Sequence, residues 1–74
     1  NAFLLGAKIN NANLMGADLT GAYLRNVILT RSNLRNVNLS GANLKAADLG
    51  YALMNGAILC NTIMPDGSVI YSGC

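Results

Sequence analysis

The chain has 74 residues, 53% of them hydrophobic, and a net charge of +2 from five Lys or Arg against three Asp or Glu. That length supports one small core, and its dispersed apolar residues never form a run near the roughly 18 that a membrane span needs. The slight charge gives no argument for nucleic-acid binding, and without a single His there is no Ser-His or Cys-His pair for nucleophilic catalysis.

In chain order, the first element is a repeat of five residues. Its centres are Leu4, Ile9, Leu14, Leu19, Leu24, Leu29, Leu34, Leu39, Leu44, Leu49, Met54 and Leu59, all large and apolar. Two residues before each centre stands a small one, Ala at nine of the twelve positions, with Val27, Ser32 and Val37 as the exceptions. A helix cannot use this period, because five residues rotate about 500° and the centres drift by roughly 140° each time. A straight strand cannot use it either, because an odd step sends successive centres to opposite faces. The pattern works if the chain turns a quarter-circle after each pentad, so that every centre points at one axis. Four pentads then close a coil of about twenty residues, and coils stack at about 4.8 Å, with a right-handed sense expected for parallel crossovers. Stacking by twenty predicts Ala above and below each of Val27, Ser32 and Val37. The glycines at 16, 21, 41 and 56 fall where the backbone must corner.

The segments "ANLMG", "ADLTG", "ANLKA" and "ADLGY" share the form A-[DN]-L-x-x, which resembles the pentapeptide repeat family. The resemblance covers residues 2–61 and implies an all-β fold, a right-handed quadrilateral β-helix of three coils over residues 1–61. "VILTR", "YALMN" and "AILC" depart from it, with Ile28, Leu53 and Ile58 where a polar residue is usual.

After Asn61 the period is expected to stop. "TIMPDGSVIYSGC" reads as an extended piece, a Pro-Asp-Gly turn at 65–67 and a second extended piece through Tyr71. Residues 62–74 are therefore expected to form a hairpin-like C-terminal cap, burying Ile63, Met64, Val69 and Ile70 on the last coil. Cys60 and Cys74 bracket it, and a disulfide between them would close a loop of about fifteen residues, worth about 3 kcal/mol. Unpaired thiols, a reactive thiol or a metal site are the alternatives, although two Cys without His fall short of the usual four ligands. A disulfide implies an oxidising compartment. The "MPDGS" and "SGC" of the tail are similar to endings of pentapeptide repeat proteins from cyanobacteria and the chloroplast thylakoid lumen. Localisation is expected in the thylakoid lumen or periplasm, ahead of the cytoplasm.

Three positions per pentad face outward. Stacking by twenty sets Phe3 beneath Tyr23, and Leu5 beneath Arg25 and Lys45, making Phe3, Leu5, Tyr23, Arg25 and Lys45 the candidate interface. Asn13, Asn33, Asn38 and Asn43 are expected to form amide ladders between coils or to bind nearby backbone. Asp18 and Asp48 fall on different sides, so they are no catalytic carboxylate pair. A tube filled by Leu and Ala leaves no room for substrate. The reading is a non-enzyme without cofactor or metal: a structural or interaction module for an unidentified protein partner, with neither nucleic-acid binding nor membrane insertion. Its open first coil could meet an upstream domain, further coils or a second copy. Because the chain opens on Asn1, it is also read as a processed chain or a piece of a longer one. A regulatory or anchoring part of a larger protein is thus one alternative. The other, implied by the resemblance, is a DNA-mimicking protector of topoisomerases, disfavoured by the cationic balance.

Overall fold

A chain with a large residue at every fifth position must corner at every fifth position to keep those residues together, and it does. The computed structural model describes residues 6–72, in which every fifth residue from Gly6 to Asn61 has φ between 57 and 76°. Each of these lies two residues after a centre. The centre carbonyl accepts the N–H three residues on, as from Ala17 to Leu14 at 3.0 Å and from Val37 to Leu34 at 3.2 Å. A left-handed residue third in such a four-residue turn is the mark of a type II bend. Glycine adopts it readily, and Asn tolerates it. Arg31, Ala46 and Tyr51 also hold it, at φ 59, 63 and 59°.

Successive circuits stack with a shift of twenty residues. Parallel bridges join Lys8–Ile28–Asp48, Asn13–Asn33–Leu53, Asp18–Asn38–Ile58 and Tyr23–Asn43–Ile63, one column on each side of a four-sided coil. We call these the Lys8, Asn13, Asp18 and Tyr23 sides, in chain order. The stacking satisfies the backbone almost by itself. In the pentad Ser32–Asn36, the N–H of Asn33 reaches down to Ala12 O, while those of Leu34 and Asn36 reach up to Leu53 O and Asn55 O. The N–H of Ser32 closes the preceding turn on Leu29 O. The N–H of Arg35 remains, and Asn33 Oδ1 accepts it at 3.2 Å. The same bond recurs from Met15 to Asn13, Thr20 to Asp18, Ser40 to Asn38, Lys45 to Asn43 and Gly50 to Asp48. Asn or Asp before the centre is therefore a local Asx turn that satisfies the one corner donor stacking leaves over. These side chains bind nearby backbone, and the amide ladder between coils, the other reading, is not what holds them.

The interior follows the register. Leu24, Leu29, Leu34, Leu39 and Leu44 are fully buried in the middle of the stack, with Val27, Val37, Ala22 and Ala42 beside them. Ile9, Leu14 and Leu19 below, and Leu49, Met54, Leu59 and Met64 above, are only partly buried. Val27 lies between Ala7 and Ala47, Ser32 between Ala12 and Ala52, and Val37 between Ala17 and Ala57, as volume in a narrow tube demands. Ser32 is fully buried yet satisfied: its hydroxyl donates to Ile9 O at 2.8 Å and accepts Ala12 N–H at 3.2 Å. The hydroxyl thus stands inside a turn that elsewhere closes directly. Ser32→Ala, which lets Ala12 and Ile9 close that turn themselves, is expected to shift stability by under about 1 kcal/mol. Ser32→Val, which fills the space and strands both groups, should destabilise by roughly 1–3 kcal/mol. Urea unfolding of the two variants checks this.

The register does not stop at Asn61. Ile63 bridges to Asn43, and Ala46 N–H donates to Pro65 O at 2.9 Å. Thr62 takes the small inward position, fully buried, with its hydroxyl on Leu39 O at 2.6 Å, and Met64 packs on the core as a thirteenth centre. The physical reason is that "TIM" keeps the small-x-large order that the coil reads. Ile63 and Met64 accordingly belong to the coil rather than lying across its end. The chain then reverses: Gly67 N–H donates to Met64 O and Met64 N–H to Ser68 O, with Gly67 at φ 88°. This three-residue turn, with a left-handed last residue, is a common hairpin connection. It joins strand β1 (Leu59–Ile63) to strand β2 (Val69–Ser72), which pair antiparallel. The register slips between Cys60 and Thr62, because the pentad corner at Asn61 falls inside β1 and bulges it. β2 runs along the outer edge of β1 rather than over the core, so Val69 is 46% exposed where burial was expected, and Ile70 is half-buried.

Candidate functional site

Since the core positions are filled, any chemistry of this coil lies on its outer sides. The middle of the tube is packed to 0–1% exposure at its leucines, and no pocket occurs among the described residues. No group of three or more His, Cys, Asp or Glu side chains able to hold a metal lies among them. No helix among the described residues is long and apolar enough to cross a membrane.

Of the candidate interface residues, Phe3 and Leu5 lie outside the described residues, as does Cys74. The other three share one side and the corner that follows it. Tyr23, 45% exposed, bridges to Asn43 in the next layer. Arg25 and Lys45, both exposed, occupy the same corner position one layer apart, tied by the Asn26 N–H to Lys45 O bond at 3.1 Å. Two like charges held one layer apart, about 4.8 Å of backbone rise, oppose the fold unless something neutralises them. Neither forms an ion pair among the described residues. Arg31 and Arg35 stand on the next two corners. Arg35 Nε donates to Asn33 Oδ1 at 3.0 Å. Arg31 lies over the ring of Tyr51, 5.8 Å from its centroid, a cation–π contact across one layer. Sequence reasoning missed that pair, although the spacing of twenty between Arg31 and Tyr51 was signal enough to find it.

The apolar residues at nominally polar positions differ among themselves: Leu53 is 47% exposed, while Ile28 and Ile58 are half-buried. The carboxyl of Asp18 is held below the usual carboxylate range, first by the Thr20 hydroxyl at 2.6 Å and then by the Thr20 N–H. The Ser68 hydroxyl and N–H do the same for Asp66. Both are therefore anionic at neutral pH. Asp18 and Asp48 sit on different sides, as the register required. No described cysteine is a free thiol. Cys60 is half-buried in β1, opposite Tyr71.

The family profile described as pentapeptide repeats matches in eight copies, over residues 4–36, 12–50 and 38–66. Among solved structures, the chain is similar to HetL, a pentapeptide repeat protein involved in heterocyst differentiation regulation from the cyanobacterium Nostoc sp. strain PCC 7120. That similarity is 33% identity over 93% of this chain and 37% of HetL, with a TM-score of 0.39. A pentapeptide repeat protein from the thylakoid lumen of Arabidopsis thaliana is 32% identical over 93% of this chain and 48% of its own, with a TM-score of 0.46. A further Nostoc pentapeptide repeat protein is 25% identical over 99% and 73%, with a TM-score of 0.45. The chain thus spans less than half the length of the first two. No curated protein sequence matches it.

Proposed function

The chain belongs to the pentapeptide repeat family, and from that premise we propose that it is a non-catalytic interaction module whose walls present side chains to an acidic protein partner. Members of the family form right-handed quadrilateral β-helices. Three such coils, ended by the β1–β2 hairpin as a C-terminal cap and stapled by a Cys60–Cys74 disulfide, make the scaffold of this proposal. Such a bridge would suit an oxidising compartment, and the thylakoid lumen or periplasm is the compartment of this proposal.

The observation that carries the reading is the Tyr23, Arg25 and Lys45 strip. Its backbone is fixed by hydrogen bonds between layers, so its side chains are displayed at little further ordering cost on binding. Its two cations are stacked and lack an ion pair among the described residues. An acidic segment laid along the stack would relieve that repulsion, and Tyr23 offers it an aromatic flank.

Binding of a fluorescent poly-glutamate peptide at low salt tests the strip. Arg25→Glu with Lys45→Glu should weaken it by at least about tenfold, on the scale of two exposed charge pairs. Arg35→Glu, on another corner, should change it far less. Equal losses from both variants would reduce the strip to ordinary surface charge.

A further inference from the structure

One side of the coil leaves its corner donors uncapped. Elsewhere the N–H of the residue after the centre donates to the Oδ1 of an Asn or Asp before it, at Met15, Thr20, Arg35, Ser40, Lys45 and Gly50. Those acceptors stand on the outer surface, so the donors they cap point outward. On the Lys8 side, Lys8 and Ile28 occupy the acceptor's place, and neither side chain can accept a hydrogen bond. The N–H groups of Asn10 and Thr30 therefore have no partner among the described residues. They stand in one column, one layer or about 4.8 Å apart. Tyr23 and Leu53 leave single donors in the same way, at Arg25 and Asn55, but no other column of described residues holds two.

We infer, resting on the reading of the Tyr23, Arg25 and Lys45 strip, that the acidic partner completes these two corners from outside. Its carboxylates accept the Thr30 and Asn10 N–H groups as the chain's own Asn and Asp do in other pentads. A backbone donor binds an ionised carboxylate more strongly than it binds a neutral amide. Thr30 lies in the middle layer, and its corner is held on both sides: Asn11 N–H donates to Thr30 O at 2.9 Å, and Arg31 N–H to Gly50 O at 2.8 Å. The donor is thus fixed before anything binds. The layer above sets Gly50 over Thr30, so no side chain overhangs it.

Charge favours the same occupant. Arg25 and Lys45 stand at the corner where the chain enters the Lys8 side, and Arg31 stands at the corner where it leaves, all three exposed. Lys8, also exposed, stands one layer below Ile28 in its own column. Against these cations the side carries one carboxylate, Asp48, one layer above Ile28, with its Oδ1 accepting Gly50 N–H at 3.0 Å. The balance attracts an anion, and the strip and the uncapped donors meet around a single corner. An acidic segment that lies along Arg25 and Lys45 therefore reaches Thr30 by crossing that corner.

The fluorescent poly-glutamate peptide at low salt tests the inference. Ile28→Asn supplies the chain's own acceptor for Thr30 at unchanged charge, so the peptide should bind about threefold to tenfold more weakly. Ile28→Ala removes the same side chain and supplies no acceptor, so binding should stay within about twofold. Asp48→Asn keeps the acceptor for Gly50 and removes the charge, so binding should tighten. In an NMR titration of the unaltered chain with the same peptide, the Thr30 and Asn10 amide protons should move downfield as they take up carboxylates. Ile28→Asn binding as tightly as the unaltered chain, Ile28→Ala weakening it equally, or Thr30 and Asn10 amides that stay still would each overturn the inference. Any of these, with Arg25→Glu and Lys45→Glu still weakening the peptide, leaves the strip standing. Failure of the peptide to bind the unaltered chain removes the strip and this extension together.

Discussion

Leu34→Ala should destabilise the protein by about 3 kcal/mol or more, a large share of the stability of so small a chain. Leu34 is fully buried at the centre of the middle layer, with Leu14 below and Met54 above in the same column. The tube wall around it is fixed by hydrogen bonds from Leu34 N–H to Leu53 O at 2.8 Å and from Leu14 N–H to Asn33 O at 2.9 Å. A wall of that kind cannot collapse inward to fill the cavity, and the cost of a large-to-small change depends on how well the site collapses. Leu14→Ala is the matching control: its side chain is only partly buried in the lower layer, so the loss should be visibly smaller. Urea unfolding of both variants measures the difference. Equal losses would mean that the layers do not form one continuous core.

Reduction of the proposed Cys60–Cys74 bridge should lower stability by about 3 kcal/mol, the entropy of closing a loop of about fifteen residues. Its structural consequence is specific, because β2 is the element that the bridge would tether. Among the described residues β2 pairs only with β1, and Val69 and Tyr71 are exposed at 46% and 71%, so little apolar burial holds it in place. With reductant, amide exchange should speed up across Val69–Ser72 and at the β1 groups that face them, while the middle layer around Leu34 keeps its protection. Cys74→Ser should reproduce the shift in the urea midpoint. A midpoint indifferent to reductant would remove the bridge, and with it the oxidising compartment it implies.

The interior was legible because a tube with one-residue-wide columns leaves no choice. Once the centres at 24, 29, 34, 39 and 44 must point at one axis, the small positions and the shift of twenty follow, and Val27, Ser32 and Val37 fall against alanines. The tail was harder to read. "TIM" carries no Ala, Asn or Leu, yet the coil tests only size and inward polarity, and the Thr62 hydroxyl finds Leu39 O. The turn at Pro65–Gly67 was visible in its residue types, whereas the position of β2 along the edge of β1 was not, because either face of the hairpin could have met the coil. The outer sides were legible in part: Tyr23, Arg25 and Lys45 share a region by register alone. Arg31 and Tyr51 met the same test and were overlooked.

The amino-acid order by itself determined the period, the inward residues and the partner of each residue one layer away, since the spacing of large and small side chains admits one way of coiling. Only the tertiary structure decided which backbone groups point up, which point down and which are capped by an Asx side chain. That polarity depends on the direction in which each corner bends, which the identities of the side chains do not encode. It is also what turns both backbone groups of Ile28, Asn33 and Asn38 toward the layer below, where the sequence showed only three positions in a repeat.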